Sequence, residues 1–274
     1  IFAVKERPFF DPLIVHVNTI EKARGLAREW TDIHQALAEK LWPGPLTLIA
    51  PRASHLNPLI TSGLDEVGIR CPRHALTFEL LKDSPGLAAP SANKFGKTSP
   101  TSAAHVRAEF GDSVMVLDGG PCEVGIESTV AAVVNESGRR KLLIYRPGFY
   151  TAAALHDLLI ECGLPTETSY AESPVAPGQL KHHYMPAIPL LVDEGLSENF
   201  LARANKALKR NLQETVTLDL GDDPLVASRM FYEQLRTLSV GHEAIVVKLS
   251  AQHKQNENWR ALLNRLFKAA SFKG

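Results

Sequence analysis

Residues 89–101, Ala89-Pro-Ser-Ala-Asn-Lys-Phe-Gly-Lys-Thr-Ser-Pro-Thr101, join an expected buried strand to an expected helix. Ser91 and Asn93 lie two apart, which on extended backbone puts a hydroxyl and an amide on one side. Ligands of open α/β sheets bind beyond the carboxyl ends of strands. A plain turn built from Pro, Ser and Asn is the other reading. Ser99 suits a helix N-cap and Pro100 the first helical position, so the spacing predicts a helix over Thr101–Phe110. Its free N–H groups would offer an anion site, beside the plainer reading of a capped helix without a ligand.

Upstream, Leu13–Val17, Leu46–Ala50 and Glu66–Arg70 read as strands. Apolar residues at Ile20, Ala23, Leu26, Ala27 and Trp30 predict one helix, and Ile33, Leu37 and Leu41 a second after Thr31. Leu76–Leu81 is expected to be helical. Downstream, Ser113–Leu117 is predicted as a strand. Thr129–Val134 and Lys141–Tyr145 read as two more, joined by the turn-rich Asn135-Glu-Ser-Gly138, with a helix from Thr151 to Gly163. Residues 164–187 hold four prolines and the run Lys181-His-His-Tyr184, and read as a linker long enough to be functional. Three strand–helix units follow, with strands at 188–192, 215–220 and 244–249 and helices at 197–211, 224–238 and 257–270. That alternation implies a parallel sheet with covering helices.

The 274 residues fit one large domain or two ordinary ones, and 45% hydrophobic content is too much for a disordered chain. Thirty basic residues balance thirty acidic ones; residues 1–172 carry a net −3 and 173–274 a net +3. Neither half is a basic slab that would make nucleic acid the default partner. No apolar run approaches the ~20 residues of a membrane helix, and the opening residues do not form a signal peptide. The three cysteines, Cys71, Cys122 and Cys162, form no CxxC pair. They point to a reducing, cytoplasmic compartment and away from a disulfide frame or Cys-based zinc site. Walker A, GxGxxG, HExxH and kinase signatures are absent, and Gly125-Ile-Glu-Ser-Thr-Val130 is not a GxSxG elbow. A nucleotide would need an unusual cradle. Lys5 and Arg7 would share a face of an extended segment and suit a polyphosphate or carboxylate, or form a solvated basic strand end. His16 ends an apolar strand, and Arg146-Pro-Gly148 puts a cation at another strand end. Trp42-Pro-Gly-Pro-Leu-Thr47 reads as a structural turn.

Taken in order, Lys5-x-Arg7, Pro12-Leu-Ile-Val-His16, Trp42–Thr47, Ala89–Asn93, Ser99-Pro-Thr101, Glu127-Ser-Thr-Val130 and Arg146-Pro-Gly148 resemble the signature of the YrdC-like family. Ala176–Pro186 and the βα units beyond resemble its long, two-domain form. The resemblance implies an α/β fold: a YrdC-like twisted mixed sheet with flanking helices in 1–163, a linker and active-site lid in 164–187, and a smaller Rossmann-like α/β domain in 188–274. It implies a nucleotidyltransferase that makes threonylcarbamoyl-AMP from L-threonine, bicarbonate or CO2, and ATP, releasing pyrophosphate. The product would pass to tRNA-modifying transferase proteins for threonylcarbamoyladenosine synthesis. Mg2+ would bridge the ATP phosphates without a protein metal site, weak RNA binding is a further expectation, and no membrane is involved.

By the same resemblance Lys5, Arg7, Ser91 and Asn93 form the catalytic set. Arg7, Asp11, Ser91, Ser99, Arg146 and Tyr184 hold ATP, with Tyr184 closing on the nucleotide. His16, Arg70, the Ala89 backbone and Ser128 hold threonine. Glu6 stands where the family often has Gly, and Asp11 where it usually has Asn. The family's first strand and helix, whose Pro-Thr-Glu-Thr-Val-Tyr-Gly-like segment contacts threonine, are expected to precede the first residue here. Two alternatives are an RNA-binding or translation-linked protein of this fold without the activity, and a carbamoyl-adenylating module. The near-zero charge of both halves weighs against the first, and the lack of zinc-finger-like Cys pairs against the second.

Overall fold

The computed structural model describes residues 1–172, 183–195 and 199–274; Lys181 and His182 of the linker, and Ser197 in an expected helix, lie outside the described residues. In chain order the elements of the first half are α1 (Phe2–Lys5), β1 (Ile14–His16), α2 (Ile20–Leu26), α3 (Asp32–Leu41), β2 (Leu46–Pro51), β3 (Glu66–Arg70), α4 (Ala75–Leu80), β4 (Leu87–Ala88) and α5 (Ala103–Phe110). Then come β5 (Thr129–Glu136), β6 (Arg139–Arg146), α6 (Ala152–Glu161) and β7 (Glu167–Tyr170). The remainder holds β8 (Leu190–Asp193), α7 (Phe200–Leu208), β9 (Thr215–Thr217), α8 (Pro224–Leu238), β10 (Ala244–Lys248), α9 (Ala251–Gln255), α10 (Arg260–Ala269) and β11 (Phe272–Lys273). Packing groups the described residues into two compact units, 1–91 with 127–172, and 92–126 with those from 183 onward.

The first unit is a mixed sheet in the order β4–β1–β3–β2–β5–β6–β7. β1–β3, β2–β5 and β6–β7 pair parallel; β1–β4, β2–β3 and β5–β6 pair antiparallel. Period-two alternation sends Val15, Leu46, Leu48, Ile69, Leu142 and Ile144 to one face, where they bury Ala23 of α2, Leu37 of α3 and Leu155 and Leu159 of α6. Thr31 caps α3 in a capping box with His34, and Thr151 caps α6 by accepting from the Ala154 N–H. The same alternation leaves Ile14, His16, Thr47, Gly68 and Arg70 on the other face.

Four expectations for this unit are corrected. Lys5 ends a helix rather than an extended segment, and Glu6 after it is left-handed at φ 54. α2 stops at Leu26 rather than Trp30, because Ala27 turns extended and bridges to Arg52. The strand before Ala89 is a two-residue edge strand, not a buried one. Part of the expected linker is β7, which pairs parallel with β6.

The second unit holds an all-parallel sheet in the order β11–β8–β10–β9. Parallel sheets need cover on both faces. Leu190, Val192, Ile245 and Val247 pack on one face against Phe231, Leu235, Trp259 and Leu262; Leu191, Ala244 and Val246 pack on the other against Ala204. α8 starts where its residues direct, with the Asp223 side chain accepting from the Leu225 and Val226 N–H groups and Pro224 in the first turn. The expected helix over 257–270 is a 3-10 turn followed by α10, and α9 and β11 were not anticipated.

Two expectations in this unit are also corrected. α5 begins at Ala103 with Ser102 at its N-cap, so Ser99 and Pro100 do not cap it. Residues 96–98 are instead held extended against Met185, whose N–H donates to the Gly96 carbonyl (2.8 Å) and whose carbonyl accepts from Thr98 N–H (3.1 Å). Ser113–Leu117 forms no strand; a 3-10 turn covers Gly111–Ser113, and Met115 is 88% exposed. Among the described residues no helix is long and apolar enough to cross a membrane.

Candidate active site

The strand directions collect side chains at one end of the first sheet. β1 and β3, parallel, end on the register pair His16 and Arg70. β2 runs antiparallel to β3, so it starts there, with Thr47 opposite Arg70. β5 is parallel to β2 and begins just after Ser128, while β6 returns antiparallel to finish at Arg146. The Ser128 and Thr47 hydroxyls are 2.7 Å apart. Arg146 donates from Nε to the Ser128 carbonyl (3.1 Å) and from Nη2 to Ser128 Oγ (3.0 Å). Gly148 permits this closeness, since a Cβ there would lie 2.1 Å from the Thr129 nitrogen. Arg70 Nε donates to the Gly44 carbonyl (3.1 Å), inside the Trp42–Thr47 turn. In the sequence Thr47 stands only as the end of the Trp42–Thr47 turn, with no role of its own. The signal was one hydroxyl in an otherwise apolar strand, and it is fully buried.

Lys5, Arg7, Asp11 and Arg146 are each at least nine-tenths buried. Arg7 donates from Nε to the Asp11 carbonyl (3.0 Å) and from Nη2 to the Pro12 carbonyl (2.7 Å), and is ion-paired with the Asp11 carboxylate at 2.9 Å. Lys5 Nζ donates to the Ser91 carbonyl (2.5 Å). Left-handed Glu6, rather than an extended run, is what connects them. Burial pushes the Asp11 carboxyl above its ordinary value, and the charges of Arg7, Arg146 and Lys5 hold it down in that order. Three buried cations acting on one carboxylate make a locale suited to phosphate oxygens.

His16 is half-buried, and its pKa is lowered to about 4, first by burial and then by the Arg70 charge, with the backbone at Ile14 and Leu87 opposing. Its ring is therefore neutral at pH 7, and the buried Nδ1 has no hydrogen-bond partner among the described residues. The Ala89 N–H is committed to the Ile14 carbonyl (3.1 Å), and the Ser91 residue is exposed. A groove of about 500 Å3 lined by Asp32, Arg139, Arg140 and Glu167 lies in the same unit and contains none of these residues.

Asn93, Ser99 and Tyr184 belong to the second unit. The Asn93 amide donates to the Lys94 (2.7 Å) and Lys97 (3.0 Å) carbonyls, closing a loop over residues 93–97. Ser99 is 5% exposed. Tyr184, at φ 65 and 1% exposed, packs in the core against His183 and Tyr232, and its carbonyl accepts from the Thr98 hydroxyl (3.2 Å). Among the described residues no group of three His, Cys, Asp or Glu side chains could hold a metal ion.

Residues 1–148 match the Sua5–YciO–YrdC family, described as telomere recombination, and residues 150–271 match a family described as threonylcarbamoyl-AMP synthase, C-terminal domain. A threonylcarbamoyl-AMP synthase of Pyrococcus abyssi is 30% identical over 291 aligned positions, spanning all of this chain and 84% of its own length. One of Bacillus subtilis is 37% identical over 206 positions, spanning 72% of this chain and 57% of its own length. The crystal structure of P. abyssi Sua5 complexed with L-threonine has a TM-score of 0.81 to this chain at 29% identity, covering all of it and 85% of that protein.

Proposed function

The chain belongs to the Sua5–YciO–YrdC family, and from that premise we infer that it synthesises threonylcarbamoyl-AMP from L-threonine, bicarbonate and ATP, for the threonylcarbamoyladenosine modification of tRNA. The observation that carries this is the convergence of buried Lys5, Arg7 and Arg146 on Asp11, next to the strand ends that hold His16, Arg70 and Ser128.

In the reaction, the threonine amine and bicarbonate give a carbamate and water. A carbamate oxygen attacks the α-phosphorus of ATP, a new P–O bond forms, and the bond to the β-phosphate breaks to release pyrophosphate. No group of the protein need become covalently attached, so its work is positioning and charge neutralisation. Lys5, Arg7 and Arg146 neutralise the phosphate oxygens and the developing charge on the leaving group. Arg146 also fixes Ser128, which together with Arg70 and neutral His16 we assign to threonine. A neutral imidazole beside Arg70 can accept a hydrogen bond from an ammonium or hydroxyl without adding a second positive charge. Asn93, Ser99 and Tyr184 are assigned to the nucleotide by family resemblance. Tyr184 contributes through its backbone, since its ring is in the core. By the same resemblance Mg2+ is assigned to the phosphates, where it would neutralise charge. Transfer of the product to tRNA by separate proteins, and a cytoplasmic setting, complete the proposal.

Pyrophosphate release tests it. Release is expected from ATP only when threonine and bicarbonate are both present. Equal release with serine, or with no amino acid, would remove the threonine assignment.

A further inference from the structure

One face of α8 is committed to the segment that carries Ser99. Arg229, Glu233 and Arg236 follow one another at helical spacings of four and three, so they form a single stripe. Each meets the segment at a different point. Gly125, at φ 81, lies so close to the Arg229 backbone that a Cβ would be 2.4 Å from the Arg229 carbonyl oxygen. Glu233 Oε2 accepts from the Thr101 hydroxyl (3.1 Å) and lies 3.3 Å from His105 Nε2. His105 Nδ1 in turn accepts from the Thr101 N–H at 3.2 Å. Arg236 Nη2 donates to the Thr98 carbonyl at 2.5 Å and lies 3.8 Å from Glu109, whose other oxygen accepts from the Lys94 N–H at 3.1 Å. The opposite side of α8, with Ala227, Phe231 and Leu235, is buried in the core of the parallel sheet.

A helix anchored in a core on one side is a stiff rail on the other. Thr98 and Thr101 bracket Ser99 and Pro100, and both are held from the rail while Tyr184 and Met185 hold Thr98 from elsewhere. We propose that Arg236 and Glu233 are positioning residues for the nucleotide: they set the conformation of Thr98–Thr101, and thereby ATP affinity, without touching ATP. The C-terminal residues then act on ATP binding, as the frame of this segment. The inference rests on the assignment of Ser99 to the nucleotide.

The test measures ATP affinity by calorimetry and KM for ATP and threonine separately, on the whole protein and on Arg236→Ala, Arg236→Lys and Glu233→Ala. Arg236→Ala is expected to weaken ATP binding by about 10-fold, the scale of one charge-assisted hydrogen bond, with KM for threonine changed by less than about 2-fold. Glu233→Ala should act in the same direction. Arg236→Lys should recover most of the loss, because an ammonium can still donate to the Thr98 carbonyl. ATP affinity within about 2-fold of the unmodified protein in both alanine variants, or parallel losses for ATP and threonine, would overturn the proposal. An unmodified protein that binds ATP but makes no threonylcarbamoyl-AMP would overturn the activity instead, while the variants' ATP affinities still decide the role of the rail.

Discussion

Arg146 is 5% exposed and grips Ser128 through both the backbone carbonyl and the hydroxyl. In the phosphate contact proposed for it, such a group would be oriented beforehand and would need little side-chain ordering. His16 shows the same economy with opposite electrostatics. Its lowered pKa, about 4, means that the folded state holds it neutral while the unfolded chain protonates it below about 6.5. Stability from this group is therefore fully present above pH 6.5 and is lost as pH falls from there toward 4. Between pH 7 and pH 4.5 it should account for roughly 2 kcal/mol. Urea unfolding of the protein and of His16→Asn at both pH values checks this: the variant should lose that much less on acidification, and identical losses would refute it. At this scale the residue types were legible and their geometry was not. Lys5 and Arg7 stand out in the sequence as two close cations, but a local pattern cannot reveal that Glu6 adopts a left-handed conformation between them. Thr47 and Ser128 meet only because β2 and β5 pair, 81 residues apart.

Elements whose signals are local were readable. The β5–β6 hairpin follows from two short apolar runs joined by the turn-rich Asn135-Glu-Ser-Gly138, and α8 from Asp223, Pro224 and its apolar period. Elements decided by partners were not. Ser113–Leu117 has strand composition but pairs with no strand among the described residues, whereas Glu167–Tyr170 lies in a proline-containing stretch and pairs with β6. Ser99-Pro100 carries a good cap signal, yet pairing of Thr98 with Met185 keeps the chain extended and delays the helix to Ala103. Glycines at the element scale divide the same way. Gly148→Ala would force a Cβ to within 2.1 Å of the Thr129 nitrogen and 2.5 Å of the Ser128 carbonyl carbon, backbone that cannot swing aside. It should cost roughly 2–3 kcal/mol and reduce product formation by detaching Arg146 from Ser128. Gly25→Ala, inside α2 with open space around it, should instead be neutral or stabilise by about 0.5–1 kcal/mol. Thermal melts and activity of the two variants make the comparison, and equal effects would contradict the packing account of Gly148.

At the scale of the whole molecule, the chain divides into units that cut across sequence order, since residues 92–126 pack with the C-terminal sheet. Alternation of strands and helices made the α/β class and the parallel C-terminal sheet legible, but not this exchange, which depends on long-range packing onto α8. The central claim is chemical: one protein joins threonine, a one-carbon unit from bicarbonate and the AMP part of ATP. Mass spectrometry of a reaction containing ATP, threonine and 13C-bicarbonate tests that most directly. The expected product is an adenylate of the mass of threonylcarbamoyl-AMP, heavier by one mass unit than that formed from ordinary bicarbonate. The species should be missing when threonine is omitted. An adenylate that forms without the label, or without threonine, would contradict the claim.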